Sequence, residues 1–490
     1  MNLTPKLNDF LYALLAAITL MISMYSYFKV VFLNDVYTFL GSSILADKLG
    51  SFPANLDIAW ETRPVGNRLI FYVLYKLAEP FYGNDFLFCI LTKIIVAAVI
   101  LIISWYFALQ VNRYLKQPHK YAVFLLTALS LFTMHLMLLL TTEFFAVVIA
   151  FLAIALLISD KKHANIISGI MMVLIILLKI VTITFIPVII LAYLLITQDI
   201  TKQKIYLCII GFLGALTAFT LMCIIWFKNF ISDTLLMLVL NNPGTGISMF
   251  VRVYRLFSTG FSIWWFLPIT SIGVIAGVLV FHEYTQRDSK TNLILFSFLW
   301  ICPLVLVFIQ SSWAAYQYAG LAISSVISII LFLSTNYQKQ QIVPFTFIIF
   351  FIMCSFGLSC STWTDIHGDT WSNQLNITNT MKTQFNLSNQ PNILYLDSGI
   401  SAYFIGVPVA CRETYPLIIQ RGYDWNLTKE PAYVNAKKCI IDYNGDYLLF
   451  DNRIDDPEIT AKINHEYKKV YNGSYWGVVY PPTDLYKKIT

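Results

Sequence analysis

The first 360 residues are a succession of long apolar runs cut by short polar loops. A helix needs about 20 apolar residues to cross a bilayer. In lipid, only helices and closed barrels satisfy their own backbone hydrogen bonds. Runs at about 10–32, 86–110, 121–140, 142–159, 164–178, 180–197, 205–227, 263–281, 293–309, 314–333 and 343–360 predict eleven crossings. The first is longer than a signal-peptide core and no small-residue cleavage site follows, so it reads as an anchor. Residues 361–490 hold no run of that length. Charged residues are 12% of the chain, about half the share usual in soluble domains. This excludes an ordinary cytosolic enzyme, a disordered chain and a disulfide-stapled secreted module. The expected fold is a polytopic α-helical membrane protein over 1–360 with a C-terminal extracytoplasmic α/β domain over 361–490.

Short-loop charges give the direction. Lys6, Arg113, Lys116, Lys120, Lys161, Lys162, Lys202, Lys204, Arg287, Lys290 and Lys339 occupy every second loop, which the positive-inside rule assigns to the cytoplasm. Orienting loop residues of this kind are the simplest source of the modest net charge of +6, and no basic tract interleaved with aromatics suggests nucleic acid. With an odd number of spans the N-terminus is cytoplasmic and the polar domain lies outside. The sequons at Asn376, Asn386, Asn426 and Asn472 all fall in that domain. Of eight cysteines, none forms a zinc-like cluster. Cys411 and Cys439 are the two in the polar domain, and export would allow a disulfide between them.

Residues 33–85 read as one large external loop. Its segment 68–82 is too short to cross and reads as an amphipathic helix at the outer interface. In the polar domain, 392–397, 438–443 and 474–480 read as strands. Residues 456–466 begin Asp-Pro-Glu and read as a capped helix.

The residues able to carry chemistry map to the external side. Asn34-Asp35 follows the first span. Asp35 either ends that helix in water or serves as a general base for an attacking hydroxyl. Arg63 and Arg68 flank a Pro-Val-Gly turn. They either anchor the loop at the interface or clamp a phosphate, for which planar guanidinium groups suit bidentate contact. Glu143 lies at a tight outer turn after an apolar stretch. It either complements a helix N-terminus capped by Thr142 or faces a wet cavity, since an acid beside hydrocarbon is costly otherwise. Lys179 interrupts two apolar runs and either snorkels or presents a fixed cation. Tyr316 and Tyr318 are interfacial aromatics or sugar contacts, and Arg252 and Arg255 in an outer loop are further phosphate candidates.

This layout resembles the GT-C superfamily, polytopic glycosyltransferases that use polyprenyl-phosphate-linked sugars and include protein O-mannosyltransferases and aminoarabinose transferases. There, an acidic motif just past the first span supplies the catalytic carboxylate, and Asn34-Asp35 occupies that place with Asn in the first position. Arg63-Pro64-Val65 resembles the Lys-Pro-Pro-Leu motif that ends the loop. Glu143 matches a second acid at an outer turn, and Lys179 resembles a basic contact to donor phosphate. The resemblance implies a polyprenyl-phosphate sugar donor and a lipid, glycan or protein acceptor. It implies Asp35 and Glu143 as catalytic residues. It also implies Arg63, Lys179 and Arg68 on the donor phosphate, to which the outer-loop position adds Arg255, and Asn34, Tyr316 and Tyr318 near sugar or acceptor. Fixed cations would neutralise the phosphate, so no cofactor is required; a divalent cation is possible but not indicated.

Two other readings stay open. A flippase or transporter of lipid-linked saccharides would line a transmembrane path with charge. An O-antigen-ligase-like transferase with a diphosphate-linked donor would carry a His/Arg set in a large late loop, and no such loop lies between the ninth and tenth spans.

Overall fold

The computed structural model describes residues 34–50, 65–82, 85–115, 120–132, 140–198, 201–226, 249–260, 268–310, 318–334, 376–396, 405–411, 416–424, 426–450, 454–474 and 483–489, with Leu14, Ile18 and Met21. The expected spans 10–32 (but for those three residues) and 343–360 lie outside them. The described residues form two compact units, one drawn from 93–219 and 249–334, the other from 34–92, 220–226 and 376–489.

The first unit is helical. It contains most of α3 (Asp85–Val111), then α4 (Lys120–Phe132), α5 (Thr142–Ile158), α6 (Lys162–Leu178) and α7 (Phe185–Thr197). The start of α8 (Lys202–Trp226), then α9 (Met249–Gly260), α10 (Pro268–Gln286), α11 (Lys290–Gln310) and α12 (Leu321–Ser334) complete it. Among the described residues, three helical segments are long and apolar enough to cross a bilayer: Leu87–Val111, Ile180–Thr197 and Lys202–Ile225. Shorter apolar helices are Lys120–Phe132, Thr142–Ile158, Lys162–Leu178, Lys290–Val305 and Leu321–Ser334.

Burial distinguishes helices that look equally apolar in sequence. α12 is buried on every side from Leu321 to Leu333, so it packs within the bundle. α8 instead exposes Ile209, Ile210, Leu213, Leu221, Ile224 and Ile225, the surface expected of a helix facing lipid. α6 and α8 meet at glycines. A Cβ at Gly169 would lie 2.0 Å from the Cys208 carbonyl oxygen, and one at Gly211 would lie 2.0 Å from that of Ile166. Only bare backbone permits this approach, the device by which membrane helices gain packing without a hydrophobic drive.

Loop charges place chain segments at common ends of this unit. Asp160 accepts from Lys204 at 2.9 Å and pairs with Arg113 at 3.5 Å. The loops at 113, 160 and 204 therefore share one end. Glu143 sits at the opposite end of α5, roughly 25 Å away at helical rise.

The second unit is built on a four-stranded sheet of order β1-β2-β4-β3. β1 (Leu394–Leu396) runs parallel to β2 (Tyr447–Phe450). β4 (Thr483–Lys488) is antiparallel to both β2 and β3 (Tyr467–Ser474). Strand side chains alternate between faces. Leu394, Leu396, Leu448 and Phe450 form one core with Ile419, Tyr433, Ala436, Ile440, Ile459 and Ile463. These last six come from α14 (Pro416–Asp424), α15 (Pro431–Asp442) and α16 (Pro457–Glu466). On the other face, Tyr395, Tyr447, Leu449 and Leu485 pack with Met381 and Leu387, from α13 (376–384) and the turn after it, and with Ile405, Val407 and Leu45. Leu45 belongs to α1 (Asn34–Lys48). Lys48 Nζ also donates to the Gly406 carbonyl at 2.8 Å. The early loop and the polar tail are thus one packed body.

Residues 438–443, expected as a strand, are the end of α15 and the turn after it. Tyr433, Ala436 and Ile440 are all buried at i, i+3 and i+7, a helical spacing, and Pro431 opens the helix. The strand is the next apolar run, Tyr447–Phe450. The helix at 456–466 is as expected, with Asp456 accepting from the Glu458 and Ile459 amides. Most of the strand expected at 474–480 lies outside the described residues. Cys411 and Cys439 form a disulfide, Cα atoms 5.9 Å apart.

Candidate functional site

In the helical unit, the structure joins two candidates separated by 36 residues. Lys179 Nζ donates to Glu143 Oε1 in a buried ion pair, the side chains 6% and 3% exposed. Local sequence explains both positions. Thr141, not Thr142, caps α5, its hydroxyl accepting from the Phe144 amide at 3.3 Å. Thr142 is therefore free of the capping role and donates to Glu143 Oε2 at 2.8 Å. Each carboxylate oxygen thus has a donor. Lys179 stands where α6 stops. Its backbone is extended, and a 3-10 turn over Ile180–Thr184 follows. The Thr182 hydroxyl reaches back to the carbonyls of Ile175 at 2.6 Å and Lys179 at 2.5 Å, satisfying acceptors that a helix end leaves open. Lys179 is therefore held in place by the break and does not snorkel.

In the sheet-containing unit, α1 begins at Asn34 and Asp35, whose side chains lie outside the described atoms. α1 packs on α2 (Val65–Ala78), with Phe39 against Phe71 at 5.1 Å and Ser43 Oγ donating to the Arg68 carbonyl at 3.3 Å. The helix expected at 68–82 thus begins at Val65. Its outward face shows Val73 and Leu77, as an interfacial helix should. Arg68 departs from the anchoring alternative, being only 2% exposed. A guanidinium removed from water needs partners that compensate its charge. Farther along, Lys76 pairs with Asp47 at 2.8 Å and Glu79 at 3.1 Å. These two acids raise the Lys76 pKa above its ordinary value, the Asp47 hydrogen bond contributing most.

The remaining candidates divide. Arg63 and Tyr316 lie outside the described residues. Arg252 and Arg255 sit on α9, not on a loop. Its exposed Met249, Phe250, Val253 and Tyr254 make it an amphipathic helix. Arg252 lies over the Phe308 ring at 5.9 Å, and the Arg255 side chain is outside the described atoms. Tyr318 is 1% exposed, and among the described residues its hydroxyl has no hydrogen-bond partner.

Two residues that the sequence reading passed over are also buried. Lys93 is 2% exposed within α3. The signal was present, a lone lysine inside an apolar run, since intramembrane charges are costly and mark function. Asn67, beside Arg68, is 0% exposed. Among the described residues no cluster of three or more His, Cys, Asp or Glu could hold a metal ion.

No protein-family model matches the chain, and no curated protein sequence does. Solved structures do. ArnT from Cupriavidus metallidurans bound to undecaprenyl phosphate superposes with a TM-score of 0.58 at 11% identity, over 97% of this chain and 98% of that one. The Archaeoglobus fulgidus oligosaccharyltransferase with Zn and sulfate gives 0.46 at 11% identity, over 89% of this chain and 68% of that one. AglB from Archaeoglobus fulgidus with an inhibitory peptide and a dolichol-phosphate gives 0.43 at 9%, over 90% and 69%. The end-to-end match to ArnT shows that this chain shares the fold of that structure.

Proposed function

We propose that the protein is an inverting glycosyltransferase that moves a sugar from a polyprenyl-phosphate donor to an acceptor hydroxyl on the external membrane face. The observation that carries this reading is burial. Arg68 is 2% exposed, Glu143 2% and Lys179 5%, each at a position where the resemblance expects donor or catalytic contacts. Ionic groups withdrawn from water in a membrane protein are costly to keep without a use. ArnT, which shares the fold, is bound to undecaprenyl phosphate, and the donor proposed here is of that carrier class.

In the proposed reaction the acceptor oxygen attacks the anomeric carbon, and the bond from that carbon to the phosphate oxygen breaks. Polyprenyl phosphate leaves with the electron pair, and the Asp35 carboxylate takes the hydroxyl proton. Arg63, Arg68, Lys179 and Arg255 stabilise the charge on the leaving phosphate. Glu143 holds the Lys179 ammonium at its place. Asn34, Tyr316 and Tyr318 contact sugar or acceptor. The polar tail and the α1–α2 loop face the exterior, with the N-terminus in the cytoplasm. The Cys411–Cys439 disulfide supports that side, because such bonds persist in oxidising compartments.

The test is transfer of radiolabelled sugar from a panel of polyprenyl-phosphate sugars to an envelope extract, by purified wild type and Asp35→Asn. Sugar leaving the carrier with wild type only is expected. Equal activity of the variant, or none with any donor, refutes the proposal. A transporter would instead keep its function in Asp35→Asn.

A further inference from the structure

We infer that Asn67 reads a hydroxyl group of the donor's sugar. Asn67 lies in the first turn of α2, immediately before Arg68. Its side chain is fully buried, and among the described residues neither Nδ2 nor Oδ1 meets a hydrogen-bond partner. A buried amide left unmatched costs stability, so a ligand that completes it is bound with a corresponding gain.

The chemistry of the amide narrows that ligand. The carboxamide offers two donors and one acceptor together. A phosphate oxygen accepts only and would leave Oδ1 unmatched. An ammonium donates only and would leave Nδ2 unmatched. A hydroxyl donates and accepts, so it completes both atoms. The inference rests on the donor reading above: with Arg68 on the phosphate, Asn67, one residue earlier in the same turn of α2, is placed within about a sugar's length of that phosphate. Asn67 then selects among sugars, and the phosphate contacts hold the carrier.

Binding tests this without knowledge of the acceptor. Full-length protein in lipid nanodiscs is titrated with undecaprenyl phosphate, with an undecaprenyl-phosphate hexose, and with the matching set of monodeoxy hexose donors. Wild type should bind one monodeoxy donor about tenfold or more weakly than the parent. Asn67→Leu should bind all the sugar donors with one reduced affinity and bind undecaprenyl phosphate as wild type does. Asn67→Ala, which keeps neither donor nor acceptor and is smaller, serves where the leucine variant does not fold, and should show the same loss of preference. Wild type that binds the carrier but treats all monodeoxy donors as it treats the parent overturns this inference alone. So do variants that keep the wild-type preference. Wild type that binds neither carrier nor donor overturns the donor reading and this one with it.

Discussion

Replacing Lys179 by methionine removes the ammonium from beside the Glu143 carboxylate, which also accepts from the Thr142 hydroxyl. Both side chains of the pair are almost fully withdrawn from solvent. Removing one member of such a pair strands the other charge and costs about 3–5 kcal/mol. At about 1.4 kcal/mol per decade, 4 kcal/mol is roughly a thousandfold shift toward unfolded protein. Glu143→Gln removes the carboxylate charge beside the Lys179 ammonium, and its one carbonyl oxygen can accept from only one of the two donors, so a loss of about 3 kcal/mol is expected. The double variant Glu143→Leu/Lys179→Met removes both charges of the pair together, and its stability should lie within about 1–2 kcal/mol of wild type. The assay is thermal unfolding in detergent, arranged as a double-mutant cycle. A strong coupling, with the double variant more stable than Lys179→Met, is expected. Additive losses, or a single variant as stable as wild type, refute the claim that the pair is an interdependent buried unit. Sugar transfer by the stable double variant at the wild-type rate refutes its place in donor binding.

Asp35→Asn should abolish transfer and leave binding of undecaprenyl phosphate unchanged, checked by titration of the purified variant. Arg68→Met should weaken that binding by about tenfold or more, a loss consistent with removal of one charged hydrogen-bonding group. Reducing Cys411–Cys439, or replacing both by serine, frees a loop of 28 residues and should cost about 3–4 kcal/mol, visible as an earlier melt of the polar tail. Burial works against the Asp456 carboxylate. Hydrogen bonds from Tyr433 and Lys437 and from the Ile459 amide outweigh it and hold its pKa below the ordinary value. Its contribution is therefore present above the unfolded value of about 3.9 and lost as pH falls through the lower folded value. Asp456→Asn should remove that part of the acid sensitivity in a pH-dependent unfolding series.

Much of the architecture was written in local patterns. Apolar run length located α3, α5, α6, α8 and α11 because lipid tolerates little else. Asp456-Pro457 announced α16 because a cap and a fixed φ act within one turn. The strand expected at 438–443 failed because a short apolar run does not reveal its period; what decided it was burial of Tyr433, Ala436 and Ile440 on one helix face. The cap at Thr141 was misassigned to its neighbour for a similar reason, two adjacent threonines being equivalent on paper. The Glu143–Lys179 pairing was illegible because it is made by packing of α5 and α6, although each residue had drawn attention as a charge beside hydrocarbon. Asn67 gave no signal at all, since an amide in a polar loop looks solvated until the fold closes over it.

The 358 positions between Lys48 and Gly406 set an order of assembly. A ribosome has finished the first loop long before it makes the strands against which Leu45 rests. During that interval α1 has no sheet to lie on. A stop codon that removes the last hundred residues would therefore leave an early segment without its platform, and damage from a late truncation would be felt near the beginning of the chain.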